Sequence, residues 1–227
     1  MKGTKRTSSV IDPADPAYAG QASYRGWALR VYDIGIRFIA RWLWRCPVAQ
    51  YVALYEANVG AYHIDAGPGS GCFLDVPDLS RLQHLTLIDA NPAVLDYASR
   101  RLARFDPEQL EANLLVPIDH PGGADSVGCN YVLHCLPGPL EGKAAAVVNL
   151  TRLLRPGGVC FGSTILGEPD RHTALGRRVL EFHNRKGFMG NARDTRVDLE
   201  RVLSEHLTDV ELDVQGAVAL FRGSRPT

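Results

Sequence analysis

No excess charge of either sign runs through this chain: 25 Lys and Arg balance 25 Asp and Glu over 227 residues. A neutral protein has no long-range pull toward a polyanion, so its overall field does not favour DNA, RNA or an acidic membrane. The five cysteines, Cys46, Cys72, Cys129, Cys135 and Cys160, are odd in number and include no CxxC pair. Most lie in apolar, strand-like surroundings, the pattern of reduced buried thiols in a cytoplasmic protein. The basic start at Met1 is not followed by the apolar core of about 7–15 residues that a secretory signal needs. His63, His84 and His120 fall at no metal-ligand spacing, so no metal is expected. Internal repeats and low-complexity segments are lacking too. What remains is a chain with 45% hydrophobic residues, the size of one ordinary α/β domain.

The most informative run present is Tyr62-His-Ile-Asp65-Ala-Gly67-Pro-Gly69-Ser-Gly71. It reads as a buried strand ending in an acid, then a turn that only residues without a Cβ can follow. Such a turn lets backbone lie against a ligand. A triphosphate cradle would need a lysine after the last glycine, where Cys72 and Phe73 stand, and a dinucleotide fingerprint would need GxGxxG. A second strand, Gln83 to Asp89, ends in another acid, 18 residues beyond Gly71. That is close to the separation of a ribose-binding acid in β-α-β units. Pro92 suits a helix start, and Val94, Leu95, Ala98 and Leu102 follow at helical spacing.

Further strands are predicted at Glu111 to Pro117, after Asp125, and after Arg155-Pro-Gly157-Gly158. Together the GxGxG loop with its preceding Asp65, the Asp89 strand, Asn113, the Asp125-to-His134 string and the Pro-Gly-Gly turn resemble the class I S-adenosylmethionine-dependent methyltransferases. Trp44-Arg-Cys-Pro47, the run Asn130 to Gly138, and Gly216 to Phe221 resemble a subgroup of small stand-alone bacterial and fungal members, often found in natural-product pathways.

The resemblance implies a Rossmann-like three-layer α/β/α sandwich. Its seven-stranded sheet is mostly parallel, with an antiparallel C-terminal hairpin strand, and N-terminal helices roof the site. One domain is expected over residues 23–227 after a flexible tail at 1–22. Within it, 23–58 form lid helices, 60–166 the cofactor core, 167–192 a substrate-side insertion, and 194–227 a last helix and hairpin. Trp27, Val31, Ile34, Phe38, Ile39 and Trp42 recur at helical intervals in the first lid helix. Three arginines on that helix would each cost about 2.5–3.5 kcal/mol at a bilayer centre, which speaks against stable membrane insertion. Packing over the site and lying on a membrane surface both remain open for it.

By the same resemblance, the cofactor is S-adenosylmethionine, leaving as S-adenosylhomocysteine. Gly67, Gly69 and Gly71 would approach its methionine portion, and Asp65 would order the loop and bind the amino group directly or through water. Asp89 would hold the ribose hydroxyls, supported by Asn91. Asn113, with Leu114, falls where the family contacts adenine, although many relatives carry Asp there. Asn130 would lie near the methionine moiety and Tyr131 beside the sulfonium. A base is needed only for an acceptor that carries a proton at neutral pH. His134 and His183 are the candidates, with a structural role open for His134. Tyr24, Tyr32, Arg177 and Phe188 are candidate acceptor contacts.

The function these residues imply is methylation of a small molecule in secondary metabolism, with a carboxyl or hydroxyl oxygen favoured. N- or C-methylation, or a methyltransferase-fold cyclase or scaffold, is the alternative. A monomer or homodimer without a nucleic-acid partner is expected.

Overall fold

The computed structural model describes residues 5–6 and 39–227. One eight-stranded sheet runs in the order β1-β4-β3-β2-β5-β6-β8-β7. Its strands are β1 (Lys5–Arg6), β2 (Tyr62–Ala66), β3 (His84–Asp89), β4 (Glu108–Glu111), β5 (Ala124–Asn130), β6 (Leu154–Ile165), β7 (Thr208–Gln215) and β8 (Val218–Ser224). Pairings from β1 through β6 are parallel, and β8 runs antiparallel to both β6 and β7. The expected seven strands are therefore present. An eighth, of two residues, lies on the edge in the stretch read from sequence as tail.

Among the described residues, six helices connect the strands: α1 (Val48–Asn58), α2 (Cys72–Asp75), α3 (Pro92–Arg101), α4 (Leu140–Leu153), α5 (Ala174–Arg185) and α6 (Arg196–Ser204). Local chemistry sets their starts. Asn91 caps α3 by accepting from the Ala93 amide, with Pro92 in the first turn. Thr195 caps α6 by accepting from the Asp198 amide and in turn donates to its carboxylate. Thr173 caps α5, which begins at Ala174 after a short 3-10 turn at Pro169–Arg171.

One sheet face buries Ile64, Val127, Cys129 and Ala219 against Leu150 and Leu153 of α4 and Leu199 and Val202 of α6. The other buries Leu85, Leu87 and Phe161 against Tyr55 of α1 and Leu95 and Ala98 of α3. The hairpin turns at Gly216, whose φ is 61°, and a Cβ there would sit 2.3 Å from the Trp44 carbonyl oxygen.

Three elements depart from the sequence reading. The strand predicted after the Pro-Gly-Gly turn begins before it, at Leu154, and its register on β5 shifts between Ala124 and Ser126. The strand predicted at Glu111 to Pro117 lies earlier, at Glu108–Glu111. Asn113 ends it by accepting from the Leu115 amide, a local bond that competes with the ladder. Most of the expected lid helix lies outside the described residues; those that are described form a π turn at Ile39–Leu43, closed by Trp44 N donating to the Ile39 carbonyl. Ile39 and Trp42, the end of the apolar stripe read from sequence, are 41% and 63% exposed, while Ala40 and Trp44 are buried.

Candidate active site

Strand order reverses between β2 and β5, and a cleft opens beyond the carboxyl ends of these strands and β3. That is where open α/β sheets bind ligands. Its walls include Tyr55, Gly67, Gly69, Ser70, Phe73, Asp89, Asn91, Val94, Asn130, Tyr131, Val132 and Cys135. Six of the ten cofactor residues named from sequence are thus brought together: Gly67, Gly69, Asp89, Asn91, Asn130 and Tyr131.

The glycines divide the work. Gly67, at φ 69°, has its α-carbon pressed on Val132, and an added Cβ would meet a Val132 methyl at 2.3 Å. Gly69, at φ 54°, has no atom within 4 Å of where a Cβ would stand and borders open cleft. Gly71 does not line the cleft; it caps α2 at φ 75° and lets that turn sit against Leu102 and Ala98 of α3.

Asp65 is 2% exposed and lies behind the wall. Tyr55, which does line the cleft, donates its hydroxyl to Asp65 Oδ1 at 3.0 Å. Beneath it, His63 is fully buried, its Nδ1 2.9 Å from Ser126 Oγ and its Nε2 3.9 Å from Asp65. Gly128 makes room for the pair, since a Cβ there would approach Asp65 Oδ1 to 2.6 Å.

Asp89 accepts from the Asn91 amide at 2.8 Å. Burial pushes its carboxyl up to about 7, against hydrogen bonds from the amides of Asn91 and Ala90 that pull it down. Asn130 receives the Ser163 hydroxyl on its Oδ1. Its Nδ2 is buried beside the Tyr55 hydroxyl without a hydrogen bond of good geometry, leaving a donor to spare at the cleft wall. Tyr131 holds φ 59°, a left-handed conformation uncommon for a non-glycine residue. Its ring stacks on Phe73, with centroids 6.0 Å apart, and its hydroxyl lies 2.5 Å from that of Tyr51.

Asn113 and Leu114 are absent from the cleft: the first holds its own turn and the second is buried in the core. His134 is 3% exposed, its Nδ1 accepts from the Ile165 amide, and burial lowers its pKa to about 3. A ring so held is neutral, with its acceptor nitrogen already used, which favours the structural role. His183, on α5, does not border the cleft. Its ring sits 6.0 Å from that of Phe188, its Nδ1 is buried without a partner, and burial lowers its pKa. Arg177 is exposed on α5. Tyr24 and Tyr32 fall outside the described residues. Among those residues, no His, Cys, Asp and Glu gather as three metal ligands would, and no helix is long and apolar enough to cross a membrane.

Sequence reasoning missed Tyr55, Phe73, Val132 and Cys135. A signal for Tyr55 existed: Tyr51 and Tyr55 are four apart and share one face of α1.

A glycine turn, two strand-end acids and a cleft at the switch point define a nucleotide-binding α/β enzyme fold. Residues 64–160 match the family model described as a methyltransferase domain. The chain is 34% identical to demethylluteothin O-methyltransferase of Streptomyces thioluteus, covering 89% of this chain and 90% of that protein. It is 31% identical to the physcion biosynthesis cluster O-methyltransferase of Aspergillus chevalieri, covering 93% and 97%. Among solved structures, the N-methyltransferase NodS from Bradyrhizobium japonicum WM9, in complex with S-adenosylhomocysteine, superposes with a TM-score of 0.60. It is 19% identical and covers 79% of this chain and 86% of that one, a likeness of fold. The chain belongs to the class I S-adenosylmethionine-dependent methyltransferases.

Proposed function

We propose that the chain uses S-adenosylmethionine to methylate a hydroxyl or carboxyl oxygen of a small acceptor in a natural-product pathway of the cytoplasm. We take it to act as a monomer or homodimer and without nucleic acid. The observation that carries this reading is the convergence of Gly69, the Asp89 carboxylate and the spare Asn130 amide on one cleft. Those groups suit the cofactor: open space at a Cβ-less turn, an acceptor for two ribose hydroxyls, and a buried donor for a carboxylate. When bound, the cofactor supplies an electrophilic methyl group on a sulfonium that leaves as a neutral thioether.

Each residue then has a limited task. Asp89 accepts the ribose hydroxyl protons, and Asn91 fixes that corner through its amide and its helix cap. Asp65 acts through Tyr55, which lines the cleft. Tyr131, locked by Tyr51 and Phe73, walls the reacting end and helps exclude water. Gly71 serves packing, and Asn113 and Leu114 drop out of the cofactor set. Holding the reactants in line is worth roughly 7–11 kcal/mol by itself, so positioning is the main task.

A phenol or alcohol acceptor must also lose a proton. His183 is the better base candidate, being neutral at physiological pH with an unengaged Nδ1, and Phe188 beside it offers an apolar wall. Arg177 is set aside because it faces solvent. Incubation with S-adenosylmethionine and panels of phenols, carboxylic acids and amines, read by S-adenosylhomocysteine release, tests the reading. Ethers or esters support it; N-methyl products alone would move the acceptor atom to nitrogen.

A further inference from the structure

Lys143 of α4 is fully buried, and its Nζ donates to Asp194 Oδ2 at 2.5 Å and to the Gly190 carbonyl at 3.0 Å. Asp194 is 1% exposed. Neither charge is used by the methyl-transfer chemistry. A pair this deep loses solvation on both sides, so it contributes little net stability compared with apolar residues of the same size. Burial draws the Lys143 pKa down and the Asp194 pKa up, each against the attraction of its partner. What such a pair does fix is registration, because any slip leaves two charges alone in the core.

The registration concerns two walls of the site. Gly190 donates its amide to the His134 carbonyl, and a Cβ on it would lie 2.4 Å from the Leu136 carbonyl oxygen. Backbone therefore meets backbone, at the loop that presents Tyr131, Val132 and Cys135 to the cleft. Asn191, fully buried, donates to the Ile165 carbonyl at the end of β6, and the Gly167 amide donates to the Asp194 carbonyl. Upstream, the same segment carries His183 and Phe188.

We propose that the Lys143–Asp194 pair is a positioning element that holds residues 183–194 in register with the cofactor cleft and thereby sets which acceptors are methylated. This rests on the methyl-transfer reading above. Without the pair, the cofactor wall stays in place on β2, β3 and β5, while the acceptor-side segment loses its fixed distance from it.

The test compares wild type with Lys143→Met/Asp194→Met, which removes both charges and keeps apolar volume, and with Lys143→Met alone, which strands the buried carboxylate. S-adenosylhomocysteine affinity is read by calorimetry. KM and kcat are read with whichever simple phenol or benzoic acid the wild type turns over fastest. In the double variant, cofactor affinity should stay within about twofold while acceptor KM rises about tenfold, with kcat changed far less. Hydrogen exchange should speed up at amides 187–194 and not in β2 or β5, a reading that needs no acceptor. Unchanged KM, unchanged exchange, or a parallel loss of cofactor affinity would each overturn the proposal. Failure of the methyl-transfer reading looks different: the wild type itself would bind no S-adenosylhomocysteine.

Discussion

Tyr55 on α1 and Asp65 at the end of β2 meet through one hydrogen bond of 3.0 Å, and the tyrosine stands between that acid and the cleft. The motif acid does not itself line the cleft, and its hydrogen-bond partner there comes from a helix outside the motif. Removing the hydroxyl in Tyr55→Phe leaves a buried carboxylate short of a donor, at a cost of about 1–3 kcal/mol. Melting temperature and S-adenosylhomocysteine affinity should both fall. A variant with wild-type affinity would show that Asp65 serves folding alone.

Asp89 should make binding pH-dependent. Its carboxyl titrates at about 7 in the folded chain against 3.8 ordinarily, so between these values folding takes up a proton. Stability of the free protein should therefore decline as pH rises from about 4 to about 7, and the cost should persist above that. Asp89→Asn should gain about 1–2 kcal/mol at pH 8, less than the full shift because the side chain is partly exposed. Cofactor affinity should run the opposite way in the wild type, rising with pH through 7 as the carboxylate forms. Calorimetry from pH 6 to 8.5 checks the slope, which Asp89→Asn should flatten.

The two cleft glycines should fail differently. Gly67→Ala drives a methyl into Val132 and should lower the melting temperature markedly. Gly69→Ala meets no atom and should cost only the left-handed backbone, about 1–2 kcal/mol, while narrowing the cleft. Paired melting and binding measurements should show stability lost in the first and affinity lost in the second.

The histidines separate by pH profile. His134→Gln should destabilise the fold yet leave any neutral limb of the rate profile with a phenol acceptor in place. His183→Gln should remove that limb with little change in cofactor affinity. Loss of the limb in His134→Gln alone would reverse their roles.

How much of this was legible depended on the range of the interaction. Gly67, Gly69 and Asp89 were readable because turn geometry and strand-end acids are local features. The start of α3 at Pro92 was readable for the same reason. Asn113 misled because Leu114 and Leu115 have strand-like composition, while the Asn side chain, bonding its own backbone, ended the strand early. Cys135 and the Lys143–Asp194 pair were hidden by sequence separation: Lys143 and Asp194 stand 51 residues apart, and no local pattern marks either as buried. His134 looked chemical because it sits in a family string, whereas its burial and the Ile165 amide that it accepts are long-range features no string displays.

Calorimetric titration of S-adenosylhomocysteine into the wild type and Asp89→Ala at pH 8 tests the central claim most directly. One saturable site in the wild type, weakened about a hundredfold in a variant that melts no lower, is the predicted result, since two hydrogen bonds to a carboxylate are lost. No binding to the wild type, or equal affinity in both, would contradict it.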